Sequence, residues 1–287
     1  HHFGKNFNPV SCQYFEAFHS ERRLYMFDYH VHTCFSDDCT IEMEDYIQPA
    51  IERGLKGLCF TDHVDIDYPN KDIKFFLDYQ KYEEKINFLK EKYKHQLEIY
   101  RGIEFGLQPH ILSEDVTFFQ GKSFDYVIGS IHVAKKNELY GGDFLIGKTD
   151  HEGILDYFED MLTCVKSFQA FNNLGHLDAI ARYIRGSFEA AKYMDYIDEV
   201  LKVLVQEGKG IELNTSGKRY SLPHFHPEPA IIKRYRELGG ELITLGSDSH
   251  NPQTLGYGFK EAAEVLKSCG FEYYTIFKDR KPEFIKL

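Results

Sequence analysis

Short apolar segments alternate with longer amphipathic segments from Met26 to the end of the chain. Eight apolar segments predict strands, and they lie near residues 26–31, 57–61, 97–103, 125–131, 172–176, 210–214, 241–246 and 272–277. Between them, apolar residues recur at three- and four-residue steps, which predicts amphipathic helices such as the one through Ile154, Phe158 and Met161. Alternating strands and helices predict an α/β fold in which helices cover a parallel sheet.

Side chains that can bind metal follow most of the predicted strands. They are His30, His32, Asp38, His63, Glu104, His132, His176, Asp248 and His250. Imidazole and carboxylate groups are ligands of borderline and hard divalent metals. Because nearly every strand end contributes a ligand, the pattern favours a closed barrel over an open sheet, which gathers its site at one crevice. We therefore predict a metal-dependent hydrolase with its site at the carboxyl ends of the strands.

A simpler interpretation treats these side chains as unrelated polar loop residues, and it is strongest for single members of the set. His176 could be a core histidine that pairs with nearby Asp178. Asp62 precedes His63 and is expected outside the ligand set, as the hydrogen-bond partner of an imidazole. The number of ligands that recur at strand ends favours the metal interpretation for the set as a whole.

Composition narrows the choice of partners. The 287 residues carry a formal net charge of −11, and no run of Lys or Arg is typical of a nucleic-acid surface. An acidic protein that binds an anion needs a local positive site, which metal ions supply. The six cysteines have no paired spacing, which favours a reducing cytoplasm over a disulfide framework. No apolar segment approaches the roughly 20 residues that span a bilayer, so we predict a cytoplasmic protein without a membrane partner. The oligomeric state is not indicated.

The first 25 residues differ from the rest of the chain. They begin with His1-His2, lack clean periodicity, and stop where Met26 precedes the first predicted strand. We interpret residues 1–25 as an expression tag with its linker, the alternative being a native N-terminal arm. Residues 26–287 are predicted to form one metallohydrolase domain.

The ordered motifs resemble the polymerase-and-histidinol-phosphatase (PHP) superfamily, in particular its histidinol-phosphate phosphatase branch. The motifs are His30-Val31-His32 with Asp38, Thr61-Asp62-His63, Gly102-Ile103-Glu104, Gly129-Ser130-Ile131-His132, Gly175-His176 and Gly246-Ser247-Asp248-Ser249-His250. No single motif is diagnostic, but the ordered set is specific. The resemblance implies a distorted, TIM-like (β/α)7 barrel with three divalent metal ions.

The resemblance also implies how the ligands are shared. A first metal would be held by His30, His32, Glu104 and Asp248, a second by Glu104, His132 and His176, and a third by Asp38, His63 and His250. Some relatives have His in place of Asp38, so the third site is the one where metal preference is expected to differ. The mixed nitrogen and oxygen ligands suit Zn, Mn or Fe.

The expected chemistry is phosphomonoester hydrolysis. A hydroxide shared by two metals would attack phosphorus, because no motif for a covalent nucleophile is present. We predict Glu104, Asp248, His250 and Arg219 as catalytic residues. The resemblance points to Arg219 for substrate phosphate; the other predicted substrate contacts are Arg182, Arg185, Ser130 and Lys218. Ordinary surface salt bridges are the alternative for the arginines. His110, His151, His224 and His226 carry no motif and are predicted to be solvated.

The substrate implied by the resemblance is L-histidinol phosphate, an intermediate of histidine biosynthesis. Its amine and imidazole need acidic or polar neighbours, and segments 65–68 and 105–110 follow ligand-bearing strands. Two alternatives remain open: a nucleotide phosphatase or phosphodiesterase, and a non-catalytic metal-binding domain. Against the last stands the observation that all nine ligand positions are filled.

Overall fold

A computed structural model describes residues 26–287, so the predicted tag at 1–25 lies outside the described residues. Its main sheet has seven parallel strands in the order β1-β2-β4-β5-β8-β9-β10. These strands are β1 (Phe27–Val31), β2 (Gly57–Phe60), β4 (Glu98–Gly106), β5 (Tyr126–Ser130), β8 (Asn173–Leu174), β9 (Gly210–Asn214) and β10 (Ile243–Gly246). The short β3 (His63–Asp65) pairs with the second half of β4.

The sheet closes almost completely between its first and last strands. His32 N donates to Ser249 O at 2.9 Å, and Ser249 N donates to His30 O at 3.2 Å, so the segment after β10 pairs with the end of β1. This confirms the prediction of a distorted seven-stranded α/β barrel. Because parallel strands are joined by crossovers, their carboxyl ends all open at one face.

Seven α-helices accompany the strands. They are α1 (Ile47–Glu52), α2 (Tyr79–Tyr93), α3 (Leu112–Phe118), α4 (Asp150–Ser167), α5 (Met194–Gln206), α6 (Pro229–Glu237) and α7 (Phe259–Ser268). Their periodic faces are buried as the sequence predicts; α5, for example, buries Ile197, Val200, Leu201 and Leu204. The start of α4 is a capping box in which Thr149 and Glu152 satisfy each other's backbone N–H. No helix within residues 26–287 is long and apolar enough to cross a membrane.

The eighth predicted strand is not part of the barrel. Residues Tyr273–Lys278 form β11, which pairs in antiparallel register with β12 (Lys281–Lys286). This hairpin lies against the amino ends of the barrel strands: the Tyr29 hydroxyl donates to Phe277 O at 2.9 Å, and Arg280 N donates to Asp125 O at 2.9 Å. Its apolar residues bury the amino end of the barrel, which is why the segment resembles a core strand in sequence.

Two long connections that follow barrel strands contain structure of their own. Segment 105–124 includes α3, and segment 133–150 begins with a small hairpin of β6 (Val133–Ala134) and β7 (Asn137–Glu138). Both segments follow strands at the carboxyl face. Leu139 and Tyr140, directly after β7, line the cleft at this face, as expected for a wall of the site.

Candidate metal centre

Glu104 is the centre of the cluster at the carboxyl face. It lies inside β4, two residues from the end of that strand, and its side chain is buried. Its Oε2 is 3.0 Å from His30 Nε2 and 3.2 Å from His32 Nε2, while its Oε1 is 3.0 Å from His132 Nε2 and 2.8 Å from His176 Nε2. One carboxylate therefore lies within 3.2 Å of four imidazoles, two on each oxygen.

Asp248 and His250 join the cluster from the segment after β10, which pairs with the end of β1. Asp248 Oδ1 is 3.4 Å from His32 Nε2 and 3.7 Å from His30 Nε2. Asp248 has φ 55°, in the left-handed region, which Asp tolerates better than most residues. This conformation, directly after β10, places the carboxylate beside the rings of β1.

A third group lies nearer to solvent. Asp38 Oδ2 is 3.1 Å from His250 Nε2 and 3.4 Å from His63 Nε2. His63 also faces Glu104, since its Nδ1 is 3.4 Å from Glu104 Oε2. Ligand atoms lie within 4.8 Å of one another in three groups: His32, Asp38, His63 and His250; His30, His32 and Glu104; His63, Glu104 and His132.

Buried acids orient the rings from behind. His30 Nδ1 is 2.5 Å from Glu212 Oε1, and His132 Nδ1 is 2.8 Å from Asp65 Oδ1. The close approach of Glu212 depends on Gly246, because a Cβ there would lie 2.2 Å from Glu212 Oε1. Each acid accepts the Nδ1 proton, so the Nε2 lone pair of each neutral ring points at the carboxylate of Glu104.

This arrangement fits divalent metal ions. When both rings are neutral and hold their proton on Nδ1, the Nε2 atoms of His30 and His132 are acceptors that face an acceptor oxygen at 3.0 Å. His30 Nε2 is also 3.0 Å from His32 Nε2. Buried acceptors that converge in this way need a shared cation, and the mixed imidazole and carboxylate set suits Zn, Mn or Fe.

The electrostatics of the metal-free protein follow from the same geometry. Burial would raise the pKa of Glu104, but His30, His63 and His132 hold that pKa well below its usual range. Burial would likewise lower the pKa of His132, but Asp65 and Glu104 offset this and raise it to about 9. Protons therefore occupy the cluster when metal is absent, and a metal ion has to displace them.

A cleft of about 520 Å³ opens above the cluster. Arg182 and Arg219 line it on the side of Asp248. The Arg182 guanidinium lies 4.1 Å from the ring centroid of Tyr220, and Arg219 donates to the carbonyl oxygens of Ser247 and Asp248 at 2.8 and 2.9 Å. Two fixed cations therefore border the acidic cluster, as a site for an anionic substrate requires.

Comparison with known proteins decides the family. The PHP domain model matches residues 28–216. The chain belongs to the PHP domain family. It is 34% identical over 252 residues to the probable histidinol-phosphatase of Clostridium acetobutylicum, which covers 86% of this chain and 95% of the relative. It is 32% identical over 261 residues to the histidinol-phosphatase of Lactococcus lactis, which covers 88% of this chain and 95% of the relative.

A solved structure of a PHP relative supports the same placement. The crystal structure of histidinol phosphate phosphatase from Lactococcus lactis, complexed with zinc, L-histidinol and phosphate, has a TM-score of 0.83 and 31% sequence identity. The match covers 91% of this chain and 99% of that chain. The resemblance drawn from the ordered motifs is thereby confirmed for both family and fold.

Three of the residues predicted to contact substrate do not line the cleft above the cluster. The Arg185 side chain is 61% exposed and binds Asp150 and the Lys148 carbonyl, so it holds a loop instead of a substrate. Lys218 pairs with Glu261 on the outer surface. Ser130 is fully buried beneath the cluster. The structure does not bring these three side chains to the lining of the cleft, and strand-end position alone does not tell whether a side chain reaches it.

The structure excludes one alternative and corrects two predictions about histidines and their acids. Asp178 does not pair with His176; it accepts from His226 Nδ1, and His176 Nε2 faces Glu104. His226 is therefore buried and not solvated. Asp62 accepts from Thr33 and Ser36 and reaches the ring of His32 through Ser36 Oγ, so it supports an imidazole indirectly.

The roles of the two acids that hold His30 and His132 are not predicted from the sequence. The motifs give Glu212 no role, and segment 65–68, which contains Asp65, is predicted only as a neighbour of the substrate. Both residues lie on strands, Glu212 on β9 and Asp65 on β3, and both are buried. A carboxylate within an otherwise apolar strand, as in Gly210–Asn214, is the signal that could have identified Glu212, since such a group needs a buried partner.

Proposed function

We propose that this chain is a histidinol-phosphatase, which hydrolyses L-histidinol phosphate to L-histidinol and phosphate in histidine biosynthesis. The observation that carries the proposal is the structural match to a histidinol phosphate phosphatase that was solved with zinc, L-histidinol and phosphate. The match covers 99% of the length of that phosphatase. The local chemistry agrees, because nine potential ligands and two arginines converge at one cleft.

We propose three divalent ions at this centre. His30, His32, Glu104 and Asp248 would hold the first, Glu104, His132 and His176 the second, and Asp38, His63 and His250 the third. When bound, such ions lower the pKa of water and stabilise charge on phosphate oxygens. The three proposed sites are adjacent, because ligand atoms assigned to different sites lie within 4.8 Å of one another. Examples are His32 with Asp38, and His63 with Glu104.

The protein's own residues contribute orientation and charge. Glu212 and Asp65 keep the Nδ1 protons of His30 and His132, so both Nε2 lone pairs stay turned toward the cluster. Arg182 and Arg219 are placed to bind the phosphate oxygens, where charge accumulates during transfer of the phosphoryl group. Tyr68, Phe75 and Tyr140 line the outer cleft and would surround the histidinol portion.

The direct test is phosphate release from a panel of phosphomonoesters, with metal content measured on the same sample. The panel holds L-histidinol phosphate, nucleoside monophosphates, a dinucleotide and an aryl phosphate. We expect kcat/KM of about 10⁴ M⁻¹s⁻¹ or more for L-histidinol phosphate, far above the others, and three metal ions per chain. Similar weak rates on every compound would reject the substrate assignment, and faster release from the nucleotides would favour the nucleotide phosphatase.

The arginines allow a matched test of the phosphate contacts. Arg219→Gln and Arg182→Gln should each lower kcat/KM by about 10²-fold or more, because each removes a charge at the phosphoryl group. Arg185→Gln is the control, since that side chain lies outside the cleft and should leave kcat/KM unchanged. Equal losses in all three variants would show that net charge, and not contact with phosphate, explains the effect.

A further inference from the structure

The Arg182 side chain lines the cleft but is almost completely buried by its contacts with other side chains. Its side chain is 6% exposed, and its Nη2 lies 2.5 Å from Ser216 Oγ and 3.5 Å from Asp248 Oδ2. The ring of Tyr220 covers one face of the guanidinium. A further contact, from Nε, leads away from the cleft to His226.

The contact with His226 determines which ring nitrogen carries a proton. Arg182 Nε is 2.9 Å from His226 Nε2, and a guanidinium N–H can only donate. His226 Nε2 must therefore accept, and the proton is on Nδ1, which faces Asp178 Oδ1. Burial lowers the pKa of His226 to about 4 despite the neighbouring Asp178, and Arg182 adds to this lowering, which agrees with a neutral ring.

Asp178 and His226 are themselves anchored by backbone contacts. Asp178 Oδ2 accepts from Glu228 N at 2.8 Å. His226 exchanges two backbone hydrogen bonds with Asn214 at the end of β9, at 2.8 and 2.7 Å. The side chains of Asp178, His226 and Arg182 are all buried, so the two contacts that join them are shielded from water.

We propose that His226 is a positioning residue, which with Asp178 orients the Arg182 guanidinium toward the phosphoryl group of the substrate. His226 itself does not reach the cleft; it acts through Arg182. The inference rests on the proposed function in so far as Arg182 is taken to contact phosphate. Its physical basis is that a misplaced group near the reacting atoms costs about 10²-fold in rate, even when the charge is retained.

Two amide substitutions separate the two halves of the His226 contact. In His226→Asn, the amide nitrogen replaces Nδ1 and keeps the bond to Asp178, but the acceptor for Arg182 is lost. In His226→Gln, the amide oxygen replaces Nε2 and keeps the acceptor for Arg182. We expect kcat/KM for L-histidinol phosphate to fall by about 10²-fold in His226→Asn and by less than about tenfold in His226→Gln.

A double-mutant cycle with Arg182→Gln distinguishes positioning from a general structural effect. If His226 acts through Arg182, His226→Asn should change kcat/KM by less than about threefold once Arg182 is replaced. An equal loss in both backgrounds, or a His226→Gln variant as impaired as His226→Asn, would overturn the proposal. Thermal melts and metal content are measured on every variant.

Asp178→Asn serves as a second variant should His226→Asn fail to fold. Glu228 N would keep the new amide oxygen, so the amide NH₂ would face His226 Nδ1 and drive the ring proton to Nε2. A donor would then face the Arg182 Nε–H donor. The same loss of about 10²-fold, absent in the Arg182→Gln background, is expected; a loss of equal size in both backgrounds would overturn the positioning role.

Binding of inorganic phosphate to the metal-loaded protein, measured by calorimetry, keeps this inference separate from the substrate assignment. Arg182→Gln and His226→Asn should each weaken phosphate binding, and the double variant should bind no more weakly than Arg182→Gln. If the wild type binds phosphate in this pattern but does not hydrolyse L-histidinol phosphate, the proposed function fails and the positioning role stands. If His226→Asn leaves phosphate binding unchanged, the positioning role fails alone.

Discussion

The two ends of the barrel are built from the same strands but have opposite chemistry. At the carboxyl end, Glu104 on β4 lies within 3.2 Å of four imidazoles, and the side chains around it are ionisable. Four residues earlier on the same strand, Tyr100 belongs to a cluster of aromatic rings at the amino end. The ring centroid of Tyr29 lies 5.5 Å from that of Tyr100 and 5.3 Å from that of Tyr126. Phe277 of the β11–β12 hairpin stacks on Tyr126, with 5.2 Å between the ring centroids.

This difference separates stability from function along each strand. The amino end buries apolar rings and satisfies its hydroxyls, as in Tyr126 with Thr244 at 2.9 Å, which stabilises the closed barrel. The carboxyl end buries carboxylates and imidazoles whose burial is unfavourable until a cation binds them. The favourable apolar packing at the amino end therefore offsets the unfavourable burial of ionisable groups at the carboxyl end, where the cleft lies.

The sharpest test of the comparison uses two glutamates on β4. Glu104→Gln should lower kcat/KM by about 10³-fold or more and reduce bound metal, because it removes the carboxylate at the centre of the cluster. Glu98→Gln, at the exposed amino end of the same strand, should leave both unchanged. Full activity in Glu104→Gln would remove this carboxylate from the proposed mechanism.

The amino end should show the reverse behaviour. Phe277→Ala removes a buried ring from the aromatic cluster and should lower the free energy of unfolding by about 3–5 kcal/mol. At a temperature where the variant remains folded, kcat/KM should stay within about twofold of wild type, since the ring is remote from the metal ligands. Chemical denaturation and steady-state kinetics measure the two quantities. A large loss of activity in the folded variant would show that the ends are coupled.

A smaller effect is expected from the acids behind the ligands. Glu212→Gln should lower metal affinity or kcat/KM by about 10- to 100-fold. The reason is that a neutral amide replaces the negatively charged carboxylate that accepts the His30 Nδ1 proton. Metal titration and kinetics on the same variant would separate the two losses. Unchanged values for both would mean that the orientation of His30 is set by packing alone.

The smallest effect is a pH dependence of metal binding. Since the pKa of His132 is raised to about 9 in the metal-free protein, its ring holds a proton below that pH and metal must displace it. Affinity for Zn²⁺ should therefore rise by about tenfold per pH unit for each proton displaced, and the contribution of His132 should level off above about pH 9. Without metal, the stability due to this proton is complete below the unfolded pKa of about 6.5 and is lost as the pH rises through about 9.

Competition with a chelator across this pH range measures the affinity. His132→Gln should reduce the slope, because one displaced proton is removed, whereas Tyr29→Phe at the amino end should not change it. A flat profile in the wild type would show that the cluster is not protonated when metal is absent.

The sequence by itself determined the order of strands and helices and which candidate ligands would lie at the carboxyl ends of the strands. Apolar period marked β1, β4 and the buried face of α5, because side-chain burial repeats at the spacing of each element. His30, Glu104 and Asp248 were predictable because strands in a parallel barrel present their carboxyl ends at one face.

Only the tertiary structure decided which partners meet across long separations. His30 and Glu212 are 182 residues apart, and His226 and Asp178 are 48 apart, so no local spacing encodes either pair. In the folded protein, Arg185 and Lys218 also lie outside the cleft, and residues 273–278 form a hairpin instead of a barrel strand. Periodicity reports that a residue is buried, but the packing of distant segments selects what it is buried against.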